Sequence, residues 1–213
     1  MSIVDNLNTI KDNIPSNVTL VLVSKTQPNS NILTAYNAGY RIFGENKIQE
    51  LQKKEKELPS DIQWHMIGHL QTNKVKYIAP FISLIHSVDS IRLLKEINKR
   101  AKENNRIINC LLQVHIAKEK TKYGFKIYEV EEIIEKSKEF TNIKISGIMG
   151  MATFTDKTEQ INKEFSRINA LFKKINRKEI NILSIGMSSD YQLALNNGST
   201  MIRVGSAIFG KRN

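Results

Sequence analysis

The sequence predicts an α/β fold, a single-domain (β/α)8 or TIM barrel with an extra N-terminal helix. Short apolar runs of β-branched residues alternate with longer amphipathic stretches, the pattern in which each strand feeds a crossover helix. The alternation recurs about eight times, whereas an open doubly wound sheet more often stops at about five or six strands. At 213 residues the chain is near the short end for such a barrel, so residues 1–213 form one domain with brief loops.

The segment before residue 19, "MSIVDNLNTIKDNI", is amphipathic and supplies the extra helix. Strands are expected at 19–24, 40–43, 63–67, 83–88, 109–115, 144–149, 182–185 and 201–204. Helical spacing, with apolar residues three and four apart, is clearest at 47–57, 90–104, 127–139 and 159–176. In "VDSIRLLKEI", Asp89 or Ser90 stands where a helix N-cap belongs. No internal repeat, low-complexity segment or interdomain linker interrupts the series.

Composition narrows the function. Hydrophobic residues make up 40% and charged residues 25%, as in a soluble globular protein, and no apolar stretch approaches the roughly 18 to 20 residues that span a bilayer. The N-terminus lacks the basic head, apolar middle and small-residue cleavage site of a secretory signal, so the cytoplasm is the expected compartment. One cysteine, Cys110, lies in an apolar run and permits neither an internal disulfide nor a cysteine zinc cluster. The net charge of +11 raises the question of nucleic acid. Its basic residues are scattered among glutamates, as in "QKKEKEL" and "KEINKRAKE", and read as solvated helix faces with i,i+4 pairs, so no nucleic-acid partner is expected.

Active groups of such barrels lie at the C-terminal ends of strands. In "VLVSKTQP", Lys25 follows the first strand and reaches the barrel mouth, where partial burial lowers an amine's pKa and suits it to Schiff-base chemistry. In "SIGMSSDYQLAL" a strand and a glycine turn lead to a helix whose first turn carries Ser188, Ser189 and Asp190. "MIRVGSAIFG" repeats the design with Gly205 and Ser206. These are the loops after strands seven and eight, where backbone N–H groups and a serine hydroxyl bind phosphate. An imine-forming lysine and a phosphate site on one mouth suggest pyridoxal 5'-phosphate (PLP), with Arg203 placed to face its pyridine nitrogen.

With these motifs in view, the sequence resembles the YggS/PROSC family, the PLP homeostasis proteins. The resemblance runs through "LVSKTQP", "FGENKIQE", "WHMIGHLQTNK", "SVDS", "KYGF", "GIMGMA", "SIGMSSD" and "STMIRVGSAIFG". It implies that Lys25 holds the cofactor as a Schiff base, that Ser188, Gly205 and Ser206 hold the phosphate, and that Arg203 faces the ring nitrogen. Asn46, His65, Gln71 and Asn73 are expected near the pocket. Ser206 keeps the hydroxyl where the family often has Thr or another small residue, and Ile185 is a conservative variant of "SMGMS".

The same barrel resembles the N-terminal domain of alanine racemase, so a PLP-dependent racemase is the alternative. Two-base racemisation needs a donor on each face; the lysine serves one, and the tyrosine that serves the other in alanine racemase comes from a further domain that is not expected here. Arginine only donates, so opposite pyridine it keeps the nitrogen unprotonated and weakens the ring as an electron sink. The expectation is a non-enzymatic carrier that releases PLP to apoenzymes or amines, as a monomer without membrane contact. A Schiff-base aldolase is a further alternative. His65 and His69 lie on a strand that ends at Gly68, so they share no helix face and no metal site is expected. His86 and His115 read as core histidines.

Overall fold

A computed structural model describes residues 2–119 and 123–210; Lys122 of the "KYGF" motif lies outside them. The chain runs α1 Ile3–Asp12, β1 Thr19–Val23, α2 Asn29–Asn37, β2 Ile42–Glu45, α3 Ile48–Glu57, β3 Gln63–Met66, then β4 Leu84–Val88 and α4 Ile91–Glu103. It continues with β5 Ile108–Val114, α5 Val130–Ser137, β6 Ile143–Gly150, α6 Thr158–Ile175, β7 Ile182–Met187, α7 Tyr191–Asn196, β8 Met201–Val204 and α8 Ser206–Phe209. Short 3-10 turns, Thr72–Tyr77 and Ile127–Glu129, stand before β4 and α5.

The strands form a closed parallel barrel in chain order, with β1 paired to β8 through Thr19 and Met201 up to Leu22 and Val204. Alternation along each strand splits the apolar residues into two sets. Leu22, Phe43, Trp64 and Ile85 belong to the larger core between strands and helices. Val21, Leu84, Leu111, Met149 and Met201 form a smaller cluster inside the barrel. Each fully buried side chain of this size stabilises by about 1.5 to 3 kcal/mol, and truncating the inaccessible Phe43 to alanine, which also leaves a cavity, costs about 3 to 5 kcal/mol.

The helices start and stop for local reasons. Ser2 and Asp5 close a capping box on α1, which is tied to α8 by an Asn6 amide donating to the Ile208 carbonyl at 3.0 Å. At α4 the cap is Ser90, whose Oγ accepts from the Leu93 N–H at 3.3 Å.

Several expectations shift. The second strand lies two residues later than 40–43, because Gly39 turns the chain with φ +93° and Glu45 is carried into the wall. The span 127–139 divides into a 3-10 turn and a shorter helix, α5. Ser188, Ser189 and Asp190 are not the first turn of α7 but a tight turn before it. The Asp190 carboxylate accepts from the Met187 N–H at 2.6 Å and folds that turn back onto the strand end. His115 is half-buried just beyond β5, 2.9 Å from the Glu119 carbonyl through Nε2, and is not a strand-core residue. Cys110 is fully buried, and burial pushes its thiol pKa well up.

Candidate functional site

At the C-terminal mouth a cavity of about 570 Å³ is lined by Lys25, Asn46, Ser188, Arg203, Gly205 and Ser206. These six residues come from the ends of β1, β2, β7 and β8, which closure of the barrel brings together.

Lys25 stands two residues past β1, between a buried Ser24 and Thr26. Thr26 has φ +64°, the left-handed region that a β-branched residue adopts only under strain. Its N–H donates to Glu50 Oε1 at 2.6 Å. That oxygen also accepts from Lys54 Nζ at 2.6 Å, and Nζ donates further to the Ser24 carbonyl at 2.7 Å and Glu45 Oε1 at 2.8 Å. Ser24 Oγ completes the circuit by donating to Glu45 Oε1 at 2.6 Å. Glu45 is 0% exposed and Lys54 4%, so these charges are buried. Burial raises the Glu45 pKa, and attraction to Lys54 opposes the rise. The Lys54 reading is thereby corrected. It sits in "QKKEKEL" but turns inward beside Leu51, its apolar stem in the wall and its ammonium on Glu45.

On the adjoining strand Arg203 is buried in β8, its Cα paired with that of Val21 in β1. Its Nη1 donates to the Ser184 carbonyl at 2.8 Å and to Ser184 Oγ at 2.6 Å, and Nη2 donates to the Gly150 carbonyl at 3.1 Å. These bonds use three of its five N–H groups. Burial lowers its pKa to about 10, so it stays cationic at neutral pH.

The third wall is backbone. Ser188 Oγ accepts from the Gly205 N–H at 3.0 Å and draws the loops after β7 and β8 together. A Cβ at Gly205 would stand 3.0 Å from the Val23 carbonyl oxygen and 3.1 Å from its Cβ, so glycine lets this loop press against the end of β1. Ser206 then opens α8, whose first N–H groups have no acceptor within the helix. Asn46 is fixed by its neighbour in space: a Cβ on Gly68 would lie 2.4 Å from the Asn46 carbonyl oxygen, so only glycine admits the approach.

The remaining residues named from the sequence lie elsewhere. His65 is buried on β3, below the mouth, and lines a separate cavity of about 350 Å³ at the N-terminal end with Gln63, Asn109 and Ser146. It stands third in its strand, paired with Leu84 at the start of β4, a layer too low for the mouth. Gln71 borders a shallow cleft with Asp89 and Tyr123, and Asn73 lies in the turn Thr72–Tyr77. His69 pairs with Asp89 at 3.2 Å and stacks on Tyr123, ring centroids 4.0 Å apart. Among the described residues no group of three or more His, Cys, Asp or Glu is placed to hold a metal. No helix among them is long and apolar enough to cross a membrane.

Sequence reasoning assigned no role to the apolar rim, where Ile67, Met151, Phe154 and Met187 line the mouth cavity. Phe154 is 92% exposed. The motif "GIMGMA" runs into this rim and was the available signal.

The family model described as "Alanine racemase, N-terminal domain" matches residues 1–213. The "Pyridoxal phosphate homeostasis protein" of Aquifex aeolicus is 38% identical over 198 residues, covering 91% of this chain and 86% of that protein. PipY of Synechococcus elongatus, solved without PLP and with PLP bound, is 32% identical, with TM-scores of 0.93 and 0.89, covering 98% of this chain and 100% of PipY in both. An alanine racemase of Clostridium difficile superposes with a TM-score of 0.78 at 14% identity, covering 99% of this chain and 56% of that one, a likeness of fold alone.

Proposed function

The chain belongs to the alanine racemase N-terminal domain family and to the pyridoxal phosphate homeostasis proteins, and from that premise we propose that it binds PLP reversibly and serves its intracellular homeostasis. The observation that carries the reading is one cavity lined by an amine, a guanidinium and a Ser–Gly–Ser cradle. Lys25 would hold the cofactor through its amine, the one group lining the cavity suited to a reversible imine with an aldehyde. Ser188, Gly205 and Ser206 take the phosphate, in a cradle that a Cβ at Gly205 would crowd against Val23. Arg203, held through Nη1 and Nη2 by Ser184 and the Gly150 carbonyl, would present its guanidinium to the pyridine nitrogen. Asn46 lines the same space. His65, buried below, acts on the site only through other side chains.

Bound PLP supplies an electrophilic carbon and, where its ring nitrogen is protonated, an electron sink. Arg203 cannot accept a proton from that nitrogen and, with its pKa at about 10, stays a donor, so the site favours imine exchange over carbanion chemistry. We therefore read the protein as a carrier that releases PLP to apoenzymes or amines rather than as a racemase. We place it in the cytoplasm, where its single buried thiol suits a reducing compartment, and as a monomeric barrel over residues 1–213.

The test is mass spectrometry after mixing with PLP and reducing with borohydride. A phosphopyridoxyl group confined to the Lys25 peptide and lost in Lys25→Ala supports the proposal. Adducts spread over surface lysines overturn it, and racemisation or transamination that depends on Lys25 overturns the carrier reading.

A further inference from the structure

Four buried polar side chains cross the barrel interior in single file. Arg203 Nη1 is 2.6 Å from Ser184 Oγ, Ser184 Oγ is 3.1 Å from His86 Nδ1, and His86 Nε2 is 3.0 Å from His65 Nδ1. Ser184 and His86 are 0% exposed, and Arg203 and His65 4%. The file starts at the C-terminal mouth cavity, which Arg203 lines, and ends at the N-terminal cavity, which His65 lines.

The direction of each bond follows from the first. A guanidinium has no acceptor, so Ser184 Oγ must accept from Arg203. The hydroxyl has one hydrogen to place. Among the described residues its one hydrogen-bond neighbour besides Arg203 is His86 Nδ1, so His86 must accept there if that hydrogen is to be bonded. A neutral imidazole that accepts at Nδ1 carries its proton on Nε2. His86 then donates from Nε2 to His65 Nδ1, and His65 too is left with its proton on Nε2. That last donor belongs to a ring bordering a polar cavity, where Gln63, Asn109 and Ser146 lie close by. The reverse polarity fails at the serine: with His86 donating from Nδ1, a fully buried hydroxyl hydrogen would have no acceptor. Burial keeps both rings neutral, holding His65 at about 3 and His86 well below the usual histidine value.

We propose that Ser184, His86 and His65 are positioning residues forming a one-way hydrogen-bond relay, each link donating away from Arg203, that fixes the guanidinium toward the C-terminal mouth. The relay grips Nη1, the Gly150 carbonyl grips Nη2, and the planar group cannot turn without breaking both. The consequence for cofactor affinity rests on the PLP reading; the proton positions do not.

Two measurements test it. In 15N-labelled protein without cofactor at pH 7, long-range proton-nitrogen correlation of the imidazole rings is expected to find His65 and His86 both as Nε2–H tautomers. Either ring as Nδ1–H, or either averaging between tautomers, overturns the relay. In Ser184→Ala, which removes the first acceptor, the His86 tautomer is expected to become mixed. PLP should bind about tenfold more weakly with a shifted absorbance band, the loss expected for one hydrogen bond to a charged group. Ser184→Thr restores the hydroxyl and both readouts. An Ala variant with wild-type tautomers and wild-type affinity overturns the proposal. If wild-type protein takes up no PLP, the functional reading fails and the tautomer result alone decides the relay.

Discussion

Lys25 and Arg203 border the same cavity, yet the side chains behind them differ in kind. Behind Lys25 is a charged cluster, Glu45, Glu50 and Lys54, set between the barrel wall and α3. Behind Arg203 is the neutral file of Ser184, His86 and His65, inside the barrel. The grip differs as well. Lys54 and Glu50 hold backbone atoms on either side of Lys25, the Ser24 carbonyl and the Thr26 N–H. Ser184 holds the arginine side chain itself. On the proposed function, an amine that forms and releases a covalent bond would need a fixed root and a movable tip, whereas a guanidinium that sets the protonation of a ring would need a fixed tip. Each support suits the role proposed for its residue.

The charged support is the easier to break. Lys54→Ala leaves the Glu45 carboxylate buried without its cation, and loss of one partner of such a pair costs about 3 to 5 kcal/mol. Urea denaturation should show a loss of that size. In the double variant Glu45→Gln, Lys54→Met the buried charges are gone, and stability should return to within about 1 to 2 kcal/mol of wild type. If both variants unfold equally early, the cluster acts through shape rather than charge.

Acid separates the two supports by sign. His65 has a folded pKa of about 3 against 6.5 when unfolded, so the unfolded chain takes up its proton first. Its contribution is complete above pH 6.5 and is lost as the pH falls toward 3, about 2 to 3 kcal/mol of it by pH 4.5. Glu45 works in the other direction: its folded pKa is raised, so the folded state takes up that proton first and acid favours folding there. Urea midpoints measured at pH 7 and pH 4.5 should therefore fall less in His65→Gln than in wild type, and fall more in Glu45→Gln. Equal slopes in all three proteins would remove the contrast.

How much of this is legible in the sequence depends on where each partner lies. The barrel was readable because each strand is a local apolar run. Lys25, Ser188, Arg203, Gly205 and Ser206 were readable because they sit at strand ends or in the loops that follow. Lys54 was not: i,i+4 spacing to Glu50 describes an exposed helix face as well as a buried one, and only the fold brings Ser24 and Glu45 over it. His65 was expected at the mouth through its motif, yet its depth is set by pairing with Leu84, a register the sequence does not display. The relay needs side chains from four strands, β3, β4, β7 and β8, so none of its links is local.

The smallest effect is expected at Thr26, where the comparison can be sharpened without removing charge. A left-handed φ costs a β-branched residue roughly 1 to 2 kcal/mol, while glycine gives back about 0.5 to 1 kcal/mol through the greater freedom of the unfolded chain. Thr26→Gly should thus be as stable as wild type or more stable by up to about 1.5 kcal/mol. The Thr26 N–H bond to Glu50 survives the change, but the root of Lys25 gains backbone freedom. If a rigid root is what the charged cluster provides, PLP affinity should fall about two- to fivefold while stability holds. A variant that loses stability and keeps its affinity would mean that the threonine side chain packs usefully and that the strain has no bearing on Lys25.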